Sequence, residues 1–305
     1  MSDSDSSPDA GPEPEAGSSP IGFVGGSGIY EALPLEDTRE VAVTTPYGEP
    51  SAPITVGEFA DTGREVAFVP RHGRHHQYSP TDVPYRANVH ALKQLGVGHV
   101  IASNAVGSLR EELSPRTLVV PDQFVDRTRH RSYSFFGDGV VVHQSVAEPY
   151  SARLSELLVE AAREHATADV VDGGTYVCIE GPQFSTRAES EFYRAQGWDL
   201  VGMTTVPEAK LAREAEMAYA TITGITDYDV WKDDAEVSLE EVLANAAANE
   251  TAIRETIEAA IPEIPETETW PAHSALEGTV NTPAEAIPEA TRDRVDLLLG
   301  EYVEE

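Results

Sequence analysis

The chain has 305 residues, 40% of them hydrophobic, enough to bury the core of one large domain or two modest ones. Its 53 acidic residues against 21 basic ones give a net charge of −32, which repels nucleic acid and anionic membrane surfaces and removes both from the expected partners. Lysine is confined to Lys93, Lys210 and Lys232; an acid-rich, lysine-poor surface suits a protein kept hydrated in concentrated salt, so the composition reads as halophilic.

Residues 1–19 carry no Lys or Arg and are mostly Ser, Asp, Glu, Pro and Gly, which predicts a disordered acidic tail. This acidic start differs from a secretory leader, and no apolar run approaches the roughly 18 residues of a membrane span. With a single cysteine, Cys178, there is no intrachain disulfide, and a cytoplasmic location is expected.

The first predicted strand, Ile21–Val24, runs into Gly25-Gly26-Ser27-Gly28, where absent side chains let backbone N–H groups approach an anion and Ser27 adds a hydroxyl. The run is not a dinucleotide fingerprint, because Glu31 stands where its third glycine belongs, and it lacks the Gly-Lys-Ser/Thr of a P-loop. By itself it is equally a tight turn.

A strand over Glu65–Val69 leads to Pro70-Arg71-His72-Gly73-Arg74-His75-His76, a basic cluster in a chain starved of positive charge. Arg71 offers a fork for phosphate and His72 a further donor, whereas His75 and His76 have a structural reading. Zinc would need matching Cys or carboxylate-and-His spacing, which the rest of the chain does not supply, so no metal site is expected. After a predicted helix at Tyr85–Leu95 and a strand at His99–Ala102, Ser103-Asn104-Ala105-Val106-Gly107-Ser108-Leu109 reads as a second small-residue turn at a strand end.

Further strands are predicted at Leu118–Val120, Thr175–Ile179, Leu200–Met203 and Ala220–Ile225, and helices at Ala152–His165, Arg187–Gln196 and Glu208–Met217. The last strand ends in Thr226-Asp227-Tyr228-Asp229, which in isolation is an acidic turn. Ser238 with Glu241 forms a capping-box pattern, and apolar spacing carries a helix from Leu239 to about Ile261. Pro262 to Pro288 is proline- and glutamate-rich, and Val295–Leu299 is a candidate short terminal helix. The organisation expected is a tail over 1–19, one α/β domain over 20–261 with a mixed central sheet flanked by helices, and an acidic extension over 262–305.

Gly25-Gly26-Ser27-Gly28, Arg71-His72-Gly73, Ala105-Val106-Gly107-Ser108-Leu109, Glu180-Gly181-Pro182-Gln183-Phe184-Ser185 and Met203-Thr204-Thr205-Val206-Pro207-Glu208 occur in that order, and together they resemble the trimeric purine nucleoside and methylthioadenosine phosphorylases. The resemblance covers about Ile21 to Ile261. It implies a nucleoside phosphorylase-like fold and a phosphate site of Ser27, Arg71, His72, Asn104, Ala105 and Thr204. Asn104 departs from the Thr or Ser common there, though its amide still donates. Met203 would hold the ribose, and Phe184 would pack near sugar and base; taken alone, both residues read as core.

The resemblance also makes Asp227 the acid that helps protonate N7 of the departing base, with Tyr228 and Asp229 beside it. Related 6-oxopurine enzymes place an asparagine at this position, so Asp227 favours adenine. Leu239 stands where phosphorylases of ordinary nucleosides use a histidine for the 5'-hydroxyl. With Val242 it makes an apolar pocket suited to a methylthio group, and Ser185 joins them as a specificity position. The activity implied is phosphorolysis of 5'-methylthioadenosine, with inorganic phosphate as co-substrate and no cofactor. A phosphorylase for 6-oxopurine nucleosides or methylthioinosine is the alternative.

Finally, His143-Gln144-Ser145-Val146-Ala147-Glu148-Pro149 resembles the family segment that reaches a neighbour's site. It implies a homotrimer, or a dimer of trimers, in which His143 acts in trans.

Overall fold

The computed structural model describes residues 19–26, 33–60, 62–232 and 239–303, with the side chains of Leu239 and Glu241 also outside the described set. In chain order the strands are β1 (Ile21–Gly25), β2 (Leu35–Val41), β3 (Ile54–Phe59), β4 (Arg64–Pro70), β5 (His99–Ser108), β6 (Leu118–Val120), β7 (Gln123–Asp126), β8 (Val170–Asp172), β9 (Thr175–Cys178), β10 (Leu200–Gly202) and β11 (Ala218–Asp227). The helices are α1 (Tyr85–Gln94), α2 (Ala152–His165), α3 (Arg187–Ala195), α4 (Thr205–Glu214), α5 (Leu239–Ala260) and α6 (Glu289–Val303).

β4, β1, β5 and β11 run parallel at the centre of a mixed sheet, which explains why their sequences are apolar on both faces. Alternation sends Ile21, Phe23, Val66, Phe68 and Ile101 into one core with Leu154 and Leu158 of α2 and Ile253 and Ile257 of α5. The intervening Val24, Ala67, Val69 and Val100 pack on the other face against Val89 and Leu92 of α1 and Ala209 and Ala212 of α4. Gly22 permits the close approach of α1: a Cβ there would lie 2.9 Å from Val97 and 3.4 Å from Leu92.

Several boundaries differ from the sequence reading. Ser103–Ser108 is not a turn but the second half of β5, because Ser103 to Gly107 pair with Ile222 to Asp227 of β11. Small residues make this crowding possible, since a Cβ on Gly107 would stand 3.0 Å from Asp227 Oδ1 and 3.1 Å from Val201. α4 begins at Thr205 rather than Glu208 and bends at Val206. α6 is far longer than Val295–Leu299, as Val295 and Leu299 pack with Val140, Leu276 and Ile287 in a separate apolar cluster. β2, β3, β7 and β8 were not expected. The Ser238–Glu241 capping box lies outside the described residues, while Thr186 and Glu189 form a complete one at the start of α3.

Candidate active site

The parallel strands bring their carboxyl ends to one cavity of about 490 Å³. Gly26 lines it from the end of β1, Arg71 and His72 from the end of β4, and Asn104 and Ala105 from β5. Phe184, Ser185, Met203 and Thr204 come from the segments after β9 and β10, Asp227 and Asp229 from β11 and beyond, and Val242 from α5. Ser27 lies outside the described residues.

Arg71, at one end of the cavity, is 2% exposed, and one edge of its fork is taken up by a carboxylate. Nε donates to Glu208 Oε2 at 2.7 Å and Nη2 to Glu208 Oε1 at 2.8 Å, while Nη1 donates to the Ser103 carbonyl. Burial opposes the charge on Arg71, but the paired Glu208 carboxylate outweighs it and holds the guanidinium protonated. A bidentate grip on phosphate is therefore replaced by a fixed charge with one Nη1 hydrogen to spare.

His72 stacks on His76, with ring centroids 4.4 Å apart, and its Nδ1 lies 2.9 Å from the Tyr78 carbonyl. A carbonyl only accepts, so Nδ1 carries the proton. Burial, followed by the charge of Arg71, pushes the His72 pKa down to about 4, so the ring is neutral and Nε2 presents a lone pair. Such a ring accepts a hydrogen bond at Nε2 instead of donating one.

Asn104 is clamped at both ends of its amide: Thr221 donates to Oδ1, and Nδ2 donates to the Thr204 hydroxyl, both at 2.5 Å. Thr204 accepts that bond beside the Tyr176 hydroxyl, which receives the Thr204 N–H.

At the end of β11 Asp227 Oδ1 accepts the Asp229 N–H and Oδ2 the Thr226 hydroxyl, both at 2.7 Å. Asp229 is more deeply buried, and burial raises its pKa; the hydroxyls of Ser190 and Ser185 oppose this, and the Asp227 charge adds to it. Two acids two residues apart thus occupy different electrostatic settings. Tyr228 points the other way and leaves the cavity lining: its hydroxyl donates to the Glu111 carbonyl and its ring meets Trp231 and Lys232. The chain has left β11 at this point, and Asp229 takes a positive φ of 51° as it turns back toward the cavity. Phe184 is 54% exposed at the rim, so the core reading does not describe it. Val242, Leu243 and Ala246 make an apolar wall, with Leu239 at the start of the same helix.

The sequence reading missed three residues. Glu208 stood in a quoted motif without a role. Glu180, likewise quoted, receives the Thr81 hydroxyl, the N–H groups of Arg129 and His130, and Arg131 Nε; burial opposes its charge, yet these donors hold its pKa at about 2. Arg131 is a buried hub whose Nη1 donates to the carbonyls of Met203 and Val206 and whose Nη2 donates to those of Ile179 and Glu180. It fastens together the two segments that carry Phe184 and Met203. Arg127-Thr128-Arg129-His130-Arg131 is a second basic run in an acidic chain, and that reversal was the available signal.

His143 is exposed and outside this cavity, its N–H bonded to the Thr279 carbonyl. Among the described residues no group of three or more His, Cys, Asp or Glu is arranged to hold a metal, and no helix is long and apolar enough to cross a membrane.

Residues 20–262 match the phosphorylase superfamily. The chain is 47% identical over 285 residues to the S-methyl-5'-thioadenosine phosphorylase of Geobacter sulfurreducens, covering 93% of this chain and 99% of that one. Identity to the enzyme of the same name from Pyrococcus horikoshii is 50% over 246 residues, 81% of this chain and 93% of that one. A crystal structure of a methylthioadenosine phosphorylase from an antarctic soil metagenomic library superposes with a TM-score of 0.87 at 44% identity, covering 92% and 99% of the two chains. The methylthioadenosine phosphorylase of Schistosoma mansoni in complex with adenine gives a TM-score of 0.80 at 36% identity, covering 86% and 99%.

Proposed function

The chain belongs to the phosphorylase superfamily, and from that premise we propose that it cleaves S-methyl-5'-thioadenosine with inorganic phosphate, releasing adenine and S-methyl-5-thio-α-D-ribose 1-phosphate. The observation that carries this reading is the cavity itself: a buried cation and hydroxyl at one end, a pair of acids at the other and an apolar α5 wall alongside.

Phosphate sits against Arg71, His72, Asn104, Ala105 and Thr204, with Ser27 supplied by the segment after β1. One phosphate oxygen bonds to the anomeric carbon as the bond to the base nitrogen breaks, through an oxocarbenium-like transition state. The electron pair leaves with adenine, and Asp227, supported by Asp229, assists its protonation at N7. Donors already fixed by Glu208 and Thr221 need little reorganisation as charge moves. Met203 and Phe184 flank the sugar, Ser185 faces the base, and Leu239 and Val242 receive the methylthio group. The reaction requires no cofactor.

The working unit is a homotrimer, or a pair of trimers, with His143 completing a neighbour's site, and it acts in a salt-rich cytoplasm. Residues 1–19 and 262–305 flank the catalytic domain. Adenine release from methylthioadenosine, measured with and without phosphate and beside adenosine, inosine and methylthioinosine, tests the reading. Release independent of phosphate, or preference for the 6-oxopurines, would refute it.

A further inference from the structure

A second group of buried polar side chains stands at the opposite end of the sheet, where β1, β4 and β5 begin. Val66 of β4 and His99 of β5 both pair with Ile21 of β1, so their side chains share a face. Arg64, two residues before Val66, projects to that same face. Residues 261–273 close over it: Ile264 and Trp270 join the core there, and the rings of Trp270 and His273 meet His99 edge-on at 4.5 and 5.0 Å. Arg64, His99 and Trp270 are 5%, 4% and 4% exposed.

These three residues carry more donors than their surroundings accept. Arg64 Nη1 donates to the Ile264 carbonyl at 2.6 Å, but Nε lies 3.9 Å from Glu266 Oε1, beyond hydrogen-bond reach. Arg64 Nε and Nη2, both ring nitrogens of His99 and the indole N–H of Trp270 have no hydrogen-bond partner among the described residues. His273 does not supply one, because its Nδ1 accepts the Trp270 backbone N–H and its Nε2 faces the Gly98 carbonyl. Burial, with His273 and then Arg64 beside it, keeps the His99 pKa down at about 4, so Arg64 brings the one positive charge of the three. Native interiors rarely leave such groups unpaired; the half-exposed Glu266 carboxylate makes an ion pair with Arg64 at Nε but supplies no hydrogen bond to Nη2, His99 or Trp270.

We infer that Arg64, His99 and Trp270 form a binding site for one small monovalent anion, of which chloride is the type. The set offers buried N–H donors beside a cation that Glu266 reaches only at Nε. A divalent or bulky oxyanion would bring excess charge and polar atoms without partners. The bound ion ties residues 261–273 to the base of the sheet, remote from the cavity, so it acts on stability and not on substrate.

The test is thermal unfolding of the full chain at fixed high ionic strength, in potassium chloride and in potassium gluconate, whose anion is too large for the site. The melting temperature should be a few degrees higher in chloride. Trp270→Phe should fold and shrink that difference, and Arg64→Gln should abolish it. Wild-type crystals soaked in bromide should show an anomalous peak within contact distance of Arg64 Nη2 and Trp270 Nε1. Identical melting in the two salts, or no bromide at that position, would overturn the site. Glu266→Gln should retain the chloride preference; its loss there would make Glu266 the partner of Arg64 and would also overturn it.

Discussion

The Nε and Nη2 edge of the Arg71 guanidinium is held by the carboxylate of Glu208, at 2.7 and 2.8 Å, in a pair that is 2% exposed on each side. The Tyr219 hydroxyl donates to the same carboxylate at 2.8 Å, so the cation is fixed before any anion arrives. Removing one partner of a buried pair leaves an uncompensated charge, and Glu208→Gln should cost about 3–5 kcal/mol in urea unfolding. The phosphate KM should rise while the nucleoside KM changes little. An unchanged phosphate KM would mean that the pair serves folding alone.

At the base end, Asp227→Asn should lower adenine release in single-turnover experiments by about 10²–10⁴-fold, because an amide cannot deliver a proton to N7. Asp229→Asn should cost less, since burial already disfavours the ionised form of Asp229 and the amide resembles its neutral state. Equal losses in the two variants would assign both acids to proton delivery.

Arg131→Lys tests the hub that joins the segments around Glu180 and Met203. An ammonium has three donors and no planar fork, so it cannot serve four carbonyls and the Glu180 carboxylate together. Loss on the order of 3 kcal/mol is expected, with a higher nucleoside KM and a smaller change for phosphate. A variant with wild-type stability and kinetics would remove Arg131 from the site.

His72 and His99 make the fold sensitive to acid. Each ring is neutral in the folded protein, with a pKa of about 4 against an ordinary 6.5. Below pH 6.5 the unfolded chain takes up protons that the folded chain refuses, so stability is full above that pH and falls as pH drops toward 4. The gap corresponds to about 3 kcal/mol per ring at most. Urea titrations across this window should show the decline, and His72→Gln, whose amide still donates to the Tyr78 carbonyl, should make it shallower, leaving the share of His99. An equal slope in the variant would show that other groups control the acid limit.

Assembly is tested by light scattering and activity as salt is lowered. Like charges of −32 per chain repel over a longer range when screening weakens, so the proposed trimer should dissociate and activity should fall with it. A fully active monomer at any salt concentration excludes a site completed by a neighbouring His143.

Periodicity and small-residue runs made much of the architecture legible. α2 over Ala152–His165 and β6 over Leu118–Val120 fall at the expected residues, because apolar spacing along one element is written in consecutive sequence. The family resemblance, more than local chemistry, brought Arg71, Asn104, Thr204 and Asp227 onto one list, and the cavity holds all four. The direction each group faces depends on partners distant in sequence, and only the tertiary structure decided it. Glu208 takes up one edge of the Arg71 fork, Thr221 and Thr204 clamp Asn104, and Tyr78 sets the tautomer of His72. The sequence marks Ser103–Gly107 only as small residues, whereas pairing with β11 makes the segment a strand. Arg131 shows the same limit: its donors serve carbonyls, and since every residue has a carbonyl, no side-chain pattern announces which ones an arginine will meet.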